Sequence, residues 1–483
     1  MEMSSLIAVS VSIIIIINIL FAIVLVFIER RDIGSTWAWL MVIYFLPVFG
    51  FFIYIFLGRR LKRKNFYNMS QEEQDYLKST VANQREQLAN GEFPHAIIQK
   101  YKNSIKMNLT SANALMTLNN DIDIFTDGKE KFNQLFVDIR NAKKEINIEY
   151  YIIRRDGLGR QLRDELTKKA KEGVKVRLLY DGFGSRTLSA RFFKELQANG
   201  GEVGVFFPSF LKLVNFRINN RNHRKLCIID GQLAYIGGFN VGDEYLGLHK
   251  KYGYWRDTHF RVKGDAVAHI QGRFLLDWKQ ATKQQTKNTR IFSYPTEQHT
   301  GHSVVQIVAG GPSSRTQHLK NMYVKLIISA KKEIFIQSPY FIPDSSFMDA
   351  CKMALLSGVK VRIMIPNKPD HPFVYWATWS YVGELLSYGA EIYLYEKGFL
   401  HAKTMVVDNE VATVGTTNID MRSFQLNFEV NATVYDETVA TRLKHIFWQD
   451  IEECSELTVE RYMKRSTVIK CKESISRLLS PIL

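Results

Sequence analysis

One pattern of residues occurs twice in this chain, and any fold the chain adopts has to accommodate both copies. Residues 222–240, NHRKLCIIDGQLAYIGGFN, set His223, Lys225 and Asp230 in the order His-x-Lys-x4-Asp and close on Gly237, Gly238 and Asn240. From His401 the chain reads HAKTMVVDNEVATVGTTN, with His401, Lys403 and Asp408 at the same spacing and Gly415, Thr416 and Asn418 at the close. The flanks repeat as well. NAKKEINIEY at 141 answers SAKKEIFIQS at 329, GVKVRLLYDG at 173 answers GVKVRIMIPN at 358, and GGEVGVFF at 200 answers GAEIYLYE at 389. Each half therefore reads strand, helix, strand, helix, strand, then the histidine strand and its hairpin partner. LGRQLRDELTKKAKEG and SFMDACKMALLSG carry apolar residues at helical spacing and end at Gly173 and Gly358. The predicted class is α/β: two similar halves of mixed β-sheet flanked by helices, with a functional site at their seam.

Alternation along HRKLCIID and HAKTMVVD places His and Lys two residues apart on one side of a strand, where imidazole and ammonium converge on one small anion. A phosphate suits both groups, because imidazole is nucleophile or proton carrier at neutral pH while Lys and Asn bind phosphoryl oxygens. Two copies supply two histidines. A double displacement on a phosphodiester needs that number, one to attack phosphorus and one to protonate the leaving alkoxide and later deprotonate the acceptor.

In these residues the chain resembles the phospholipase D superfamily, whose two histidines meet across the interface of two similar halves. The resemblance implies a catalytic set of His223, Lys225, Asp230, His401, Lys403 and Asp408, with His223 as nucleophile, His401 as acid and base, and the two aspartates mainly structural. It also implies substrate contacts from Asn240, Asn418, Thr416 and Gly238. Many members have Ser after the Gly of the tail, whereas this chain has Gly238 and Thr416. A hydroxyl is thus expected from the second half only, with a backbone N–H serving at Gly238. Downstream, Glu429 in NFEV and Asp257 in WRDTHF each lie beyond their own half's motif Asn. Family carboxylates of this kind orient the histidines; the other reading is a salt bridge at a sheet edge. The remaining histidines lack the motif spacing and receive no catalytic role.

A formal charge of +16 on 483 residues points to an anionic partner, and nucleic acid and anionic lipid both satisfy it. The N-terminus separates the two. Leu6 to Ile28 and Thr36 to Leu57 contain no charged residue, and each stretch is long enough to span a bilayer as a helix. A cleaved signal peptide fits poorly, since there is no basic leading region and no small-x-small cleavage site. Arg59, Arg60, Lys62, Arg63 and Lys64 follow the second span, while Arg30 and Arg31 in the intervening loop are balanced by Glu29 and Asp32. The more basic side stays in the cytoplasm, so both termini and everything after residue 58 are expected there. Trp37 and Trp39 suit either an interfacial belt or ordinary span positions, and Pro47 with Gly50 is expected to kink or tighten the second helix.

The expected division is two transmembrane helices over 1–58, a helical linker over 59–120, a first half over 121–290 and a second over 291–483. Cys227, Cys351, Cys454 and Cys471 are scattered, forming neither a disulfide framework nor a metal cluster, and Cys227 reads as a buried strand residue. No metal site is implied. The first half carries an insertion between Pro208 and His223, mixing Phe210, Leu211, Leu213, Val214 and Phe216 with Lys212, Arg217 and Arg221. It fits a wedge into a headgroup layer or a loop over the core edge. Phe373, Tyr375, Trp376, Trp379 and Tyr381 form an aromatic helix that packs, lines a lipid path, or does both.

The runs TWAWLMVIYFLPVFGFFIYIFLGR, RNHRKLCIIDGQLAYIGGFNVGDEYLG, QSPYFIPDSSF, FLHAKTMVVD and SRLLSPIL are similar to bacterial cardiolipin synthases, a resemblance covering essentially the whole chain. It implies a multi-pass enzyme of the bacterial cell membrane that moves a phosphatidyl group from one phosphatidylglycerol to another, without a nucleotide or metal cofactor. Three rivals stand beside it. A membrane-bound phospholipase D or other phosphatidyltransferase would differ in the acceptor. A nuclease is favoured by the charge but opposed by two spans and no nucleic-acid module, so no nucleic-acid partner is expected. A non-catalytic scaffold would not need two complete motifs.

Overall fold

The structure, a computed structural model, describes residues 2–28, 33–54, 58, 66–67, 69–93, 95–189, 191–208, 219–284, 301–314 and 316–480. By its contacts the chain forms two units, one built on the N-terminal helices and the other, Lys62–Phe207 with Arg221–Leu483, holding the sheet.

In the N-terminal unit, an α-helix over Glu2–Ile23 continues as the π-helical stretch Val24–Ile28. Among the described residues, Val9–Ile28 is the helix long and apolar enough to cross a membrane. The second apolar stretch is divided into Ile33–Phe45 and Phe49–Ile53. The break falls at Pro47, which has no N–H to donate and whose ring crowds the preceding turn. Asn18 Nδ2, in the first helix, donates to the Pro47 carbonyl at 3.0 Å. The Asn18 amide, the polar side chain in the run from Ile13 to Ile23, thereby finds a backbone acceptor beside the break. Trp39 and Phe21 meet the ring of buried Tyr54 edge-on, while Trp37 is exposed. Glu29, Arg30, Arg31 and Asp32, the basic run from Arg59 to Lys64, and the insertion residues Phe210, Leu211, Lys212, Leu213, Val214, Phe216 and Arg217 lie outside the described residues.

The second unit is organised on a 16-stranded sheet that runs through both halves. From one edge to the seam the first half contributes Glu202–Phe206, Lys175–Asp181, Glu145–Tyr150, Leu226–Ile229, Leu233–Gly237, His259–Gly264 and Met116–Phe125. The second half answers outward from the seam with Ser303–Gly310, Asn427–Tyr435, Val411–Gly415, Thr404–Val407, Glu333–Gln337, Lys360–Pro366 and Glu391–Tyr395, Cys454–Glu456 closes the far edge, and the sixteenth strand, Arg221–Asn222, pairs off this path with Asn427–Tyr435. The halves join where Met116–Phe125 pairs antiparallel with Ser303–Gly310. The repeated order expected from the sequence is present, and the two strands that meet at this seam had no counterpart in it.

The crossover helices follow their local signals. Gly157–Lys171 is capped by Asp156, which accepts from Gly159 N at 3.0 Å, and Ser345–Leu356 by Asp344, which accepts from Phe347 N at 3.1 Å. Just beyond them Gly173 and Gly358 take φ of 86° and 85°, a left-handed turn that glycine enters without Cβ strain. The polar stretch before the first half is helical over Gln71–Asn90 and Lys102–Ala112, and it buries Leu88, Ile105 and Leu109 in the core of the second half. The aromatic helix, Pro372–Leu386, buries Trp379 and Tyr381 and leaves Phe373 exposed, so its main role is packing. Cys227 is buried and free, as its place on the strand Leu226–Ile229 requires.

Candidate active site

Regular strand geometry begins only at Leu226 and Thr404, one residue past each lysine. The residues just before each histidine pair instead with the opposite half. Arg221–Asn222 runs parallel to Asn427–Phe428, and the His223 N–H donates to the Phe428 carbonyl at 2.9 Å. Gly398–Leu400 runs parallel to Tyr254–Arg256, and the His401 N–H donates to the Arg256 carbonyl at 2.7 Å. Each histidine is therefore placed by backbone from the half that does not encode it.

The side chains repeat this exchange. His223 Nδ1 lies 2.8 Å from Glu429 Oε1, and His401 Nδ1 lies 2.6 Å from Asp257 Oδ2. Glu429 and Asp257 are equivalent in the two halves of the sheet, because the register sets Gly415 opposite Asn431 and Gly237 opposite His259. The sequence placed each carboxylate beyond its own half's motif; the fold delivers it to the other half's histidine. With Nδ1–H directed at a carboxylate, the neutral imidazole keeps its reactive lone pair on Nε2. Tyr151 meets the His223 ring edge-on at 4.7 Å, and Trp255 lies 5.2 Å from the His401 ring.

Burial dominates the electrostatics. It lowers the His223 pKa despite Glu429, and it brings His401 down to about 3 with help from the Lys403 ammonium. Lys225 and Lys403 donate to the carbonyls of His223 and His401 respectively. Burial pushes them down to about 7 and about 8, against the pull of Glu429 and Asp257. Burial alone would raise the Glu429 carboxyl, but His223 and Lys225 hold it below the usual range, and Lys403 with His401 does the same for Asp257. Lys403 acts on His223 and Lys225 acts on His401, so the two motifs form one electrostatic site. The site holds two neutral imidazoles beside two amines that burial makes less basic, and an anion entering it raises the proton affinity of all four groups.

The other residues singled out in the sequence divide. Asp230 accepts from Lys143 N, Lys144 N and Glu145 N at 2.7–2.9 Å, and Asp408 accepts from Lys331 N, Lys332 N and Glu333 N at 2.7–2.9 Å. Each lies five residues beyond its lysine, roughly 16 Å along an extended strand, and ties down the start of the adjacent strand. The structure does not bring these two aspartates to the histidines. Thr416 Oγ1 donates to Glu429 Oε2 at 2.5 Å, so the expected phosphate-binding hydroxyl is turned onto the carboxylate that holds His223. The Gly238 N–H is engaged with the Thr258 carbonyl at 2.9 Å. A Cβ at Gly238 would lie 1.9 Å from Asp257 Oδ1, so the glycine makes room for the carboxylate that holds His401. Asn240 accepts from Ile152 N at 3.1 Å and donates to Tyr245 Oη at 3.0 Å, whereas Asn418 is buried with its Oδ1 unpartnered among the described residues.

Two arginines went unread in the sequence. Arg224, between His223 and Lys225, points away from the site and is buried. It pairs with Asp277 and donates to the Glu429 and Gly310 carbonyls at 3.2 Å each, bolting the first half to the backbone of the second. Arg256, beside Asp257, makes a 2.7 Å ion pair with Asp450. Adjacency to a motif residue is their only sequence signal. The second motif has Ala402 where the first has Arg224, so the repeat does not point to it.

Two half-sheets joined at a seam, each lending a backbone strand and a carboxylate to the other's His-Lys pair, define a phospholipase D-like protein. The family described as "Cardiolipin synthase, PLD-like domain" matches residues 135–278 and 323–451, and "Phospholipase D-nuclease N-terminal" matches residues 16–59. The chain belongs to the cardiolipin synthase family. It is 51% identical over 473 residues to the cardiolipin synthase of Listeria monocytogenes serotype 4a, covering 98% of each chain. It is 52% identical over 470 residues to the major cardiolipin synthase of Bacillus subtilis strain 168, covering 97% of this chain and 98% of the relative. The cardiolipin synthase of Staphylococcus aureus strain Mu50 is 51% identical over 471 residues, 97% of this chain and 95% of that one. Among solved structures, the phosphatidylserine synthase of Haemophilus influenzae Rd KW20 matches with a TM-score of 0.62 at 15% identity, over 79% of this chain and 100% of that one, and shares the fold.

Proposed function

We propose that this chain is a membrane-bound phosphatidyltransferase that makes cardiolipin from two molecules of phosphatidylglycerol. The observation that carries this is the exchanged pair of His–carboxylate contacts in a chain of the cardiolipin synthase family. His223 Nε2 attacks the phosphorus of the first phosphatidylglycerol, the P–O bond to glycerol breaks, and His401 gives its proton to the leaving alkoxide. The terminal hydroxyl of a second phosphatidylglycerol then loses its proton to His401 and attacks phosphorus, and the P–N bond breaks. Lys225 and Lys403 hold the phosphoryl oxygens, with Asn240 and Asn418 bordering them. The entering phosphodiester anion supplies the charge that allows His401, which burial holds down to about 3, to carry the proton. Glu429 and Asp257 keep the imidazoles oriented, and Thr416 and Gly238 set those carboxylates. Asp230 and Asp408 act through the fold.

We further propose the division 1–58, 59–120, 121–290 and 291–483, the strand Met116–Phe125 straddling its second boundary, with two membrane passes and both catalytic halves in the cytoplasm. The run Arg59 to Lys64 supports this orientation. Purified protein given labelled phosphatidylglycerol as sole substrate should yield cardiolipin and glycerol in equal amounts. Phosphatidic acid as the main product would replace this reading with that of a phospholipase, which uses water as the acceptor.

A further inference from the structure

The last described helix, Thr467–Leu478, is amphipathic with its faces reversed. Toward the protein it turns mainly polar groups: beside half-buried Ile469, Glu473 and Ser476 are buried, as is Ser480 just beyond the helix. Arg465 and Glu473 pair at 2.8 Å, and Arg477 bonds Glu384 and, at 3.3 Å, Ser380 Oγ on the helix Pro372–Leu386. Tyr381 Oη donates to Ser480 Oγ at 3.2 Å. Away from the protein it turns Val468, Cys471, Ile475 and Leu478, spaced three, four and three residues apart and so on one stripe. Val468 is 63%, Ile475 56% and Leu478 81% exposed, and Cys471 is exposed with them. The short helix before it, Val459–Met463, adds exposed Val459 and Met463. A helix that hides its carboxylate and shows its aliphatic residues is built for something other than water.

Charge says what covers it. Lys470 and Lys472 are exposed around the stripe. The acidic residues within Val459–Leu478 are Glu460, spent on Lys464, and buried Glu473, spent on Arg465. An apolar stripe with a lysine rim matches the acyl–headgroup boundary of an anionic bilayer. We propose that Thr467–Leu478 seats on such a bilayer, with Val468, Cys471, Ile475 and Leu478 among the acyl chains and the lysines at lipid phosphates. This is a membrane contact additional to the N-terminal helices, and it stands independently of which reaction the site catalyses.

Cys471 provides the probe, since Cys227 and Cys351 are buried and half-buried Cys454 is removed by Cys454→Ser. The full chain, labelled at Cys471 with an environment-sensitive fluorophore, is reconstituted into phosphatidylcholine vesicles with and without phosphatidylglycerol, bearing shallow acyl-chain quenchers. The expected result is blue-shifted, quenched emission, stronger with phosphatidylglycerol. The triple variant Val468→Ser, Ile475→Ser, Leu478→Ser should lose the quenching and need a several-fold higher surface fraction of phosphatidylglycerol for half-maximal rate, with kcat unchanged. Unshifted, unquenched emission overturns the proposal. Shifted emission without quenching also overturns it, in favour of a second copy or a protein partner. An enzyme that turned out to release phosphatidic acid would leave the quenching result unaffected.

Discussion

Glu429, encoded in the second half, hydrogen-bonds through Oε1 to Nδ1 of His223, encoded in the first, at 2.8 Å. Thr416 at 2.5 Å and Asn427 at 3.3 Å fix the same carboxylate from its own half. Glu429→Gln keeps the shape but removes the charge that stabilises the imidazolium, and Asp257→Asn does the same at His401. Each should lower kcat on the order of 100-fold or more, with a smaller change in the half-saturating lipid fraction. Retention of near wild-type turnover by a well-folded Glu429→Gln protein would leave the contact as a sheet-edge bond only.

The two histidines are geometrically equivalent, so kinetics has to separate them. With phosphatidylglycerol, His223→Ala and His401→Ala should each abolish nearly all turnover. With a phosphatidyl ester of a nitrophenol, whose leaving group needs no proton, His401→Ala should still release nitrophenolate in a burst and trap a phosphatidyl-histidine. His223→Ala should not. The opposite pattern would exchange the two roles.

Burial brings Lys225 to about 7 and Lys403 to about 8. Above those values the amines are neutral, so an anion that binds there must bring protons with it. Inhibition by tungstate, whose own charge is constant in this range, should weaken as pH rises from neutrality to 9, by up to about tenfold per unit for each proton taken up. Lys225→Met should flatten the slope. A pH-independent inhibition constant would mean that both ammonium groups are already charged before the anion binds.

Arg224 holds buried Asp277 and two carbonyls beyond it, so Arg224→Ala leaves the carboxylate with only the more distant Arg273, at 3.6 Å, and the Tyr67 hydroxyl. The expected cost is about 3–5 kcal/mol, read as a lowered melting temperature. Arg224→Met with Asp277→Leu removes both charges and should recover much of that stability. If the single variant melted like the wild type, the clamp would contribute nothing measurable.

Much of the fold was legible because duplication makes local pattern redundant. The answering segments at 141 and 329, 173 and 358, and 200 and 389 all proved to be the strands their repetition implied. The seam strands, Met116–Phe125 and Ser303–Gly310, were not legible. They carry no motif, and their pairing is a contact between distant parts of the chain that no local period records. Thr416 shows the same limit at the site. Its chemistry was visible, but whether its hydroxyl faces a phosphate or Glu429 depends on the neighbouring strand.

The sequence by itself determined that the protein has two halves, two His-Lys pairs and an apolar N-terminus, because residue type, spacing and repetition are properties of the chain alone. Only the tertiary structure decided that Glu429 serves His223 and Asp257 serves His401. Both carboxylates lie downstream of their own motifs, and nothing along the chain distinguishes serving the near histidine from serving the far one. The choice is made where Arg221–Asn222 pairs with Asn427–Phe428 and Gly398–Leu400 with Tyr254–Arg256. Those backbone hydrogen bonds carry each histidine into the opposite half, where a buried imidazole needs a charged partner and finds one already in place.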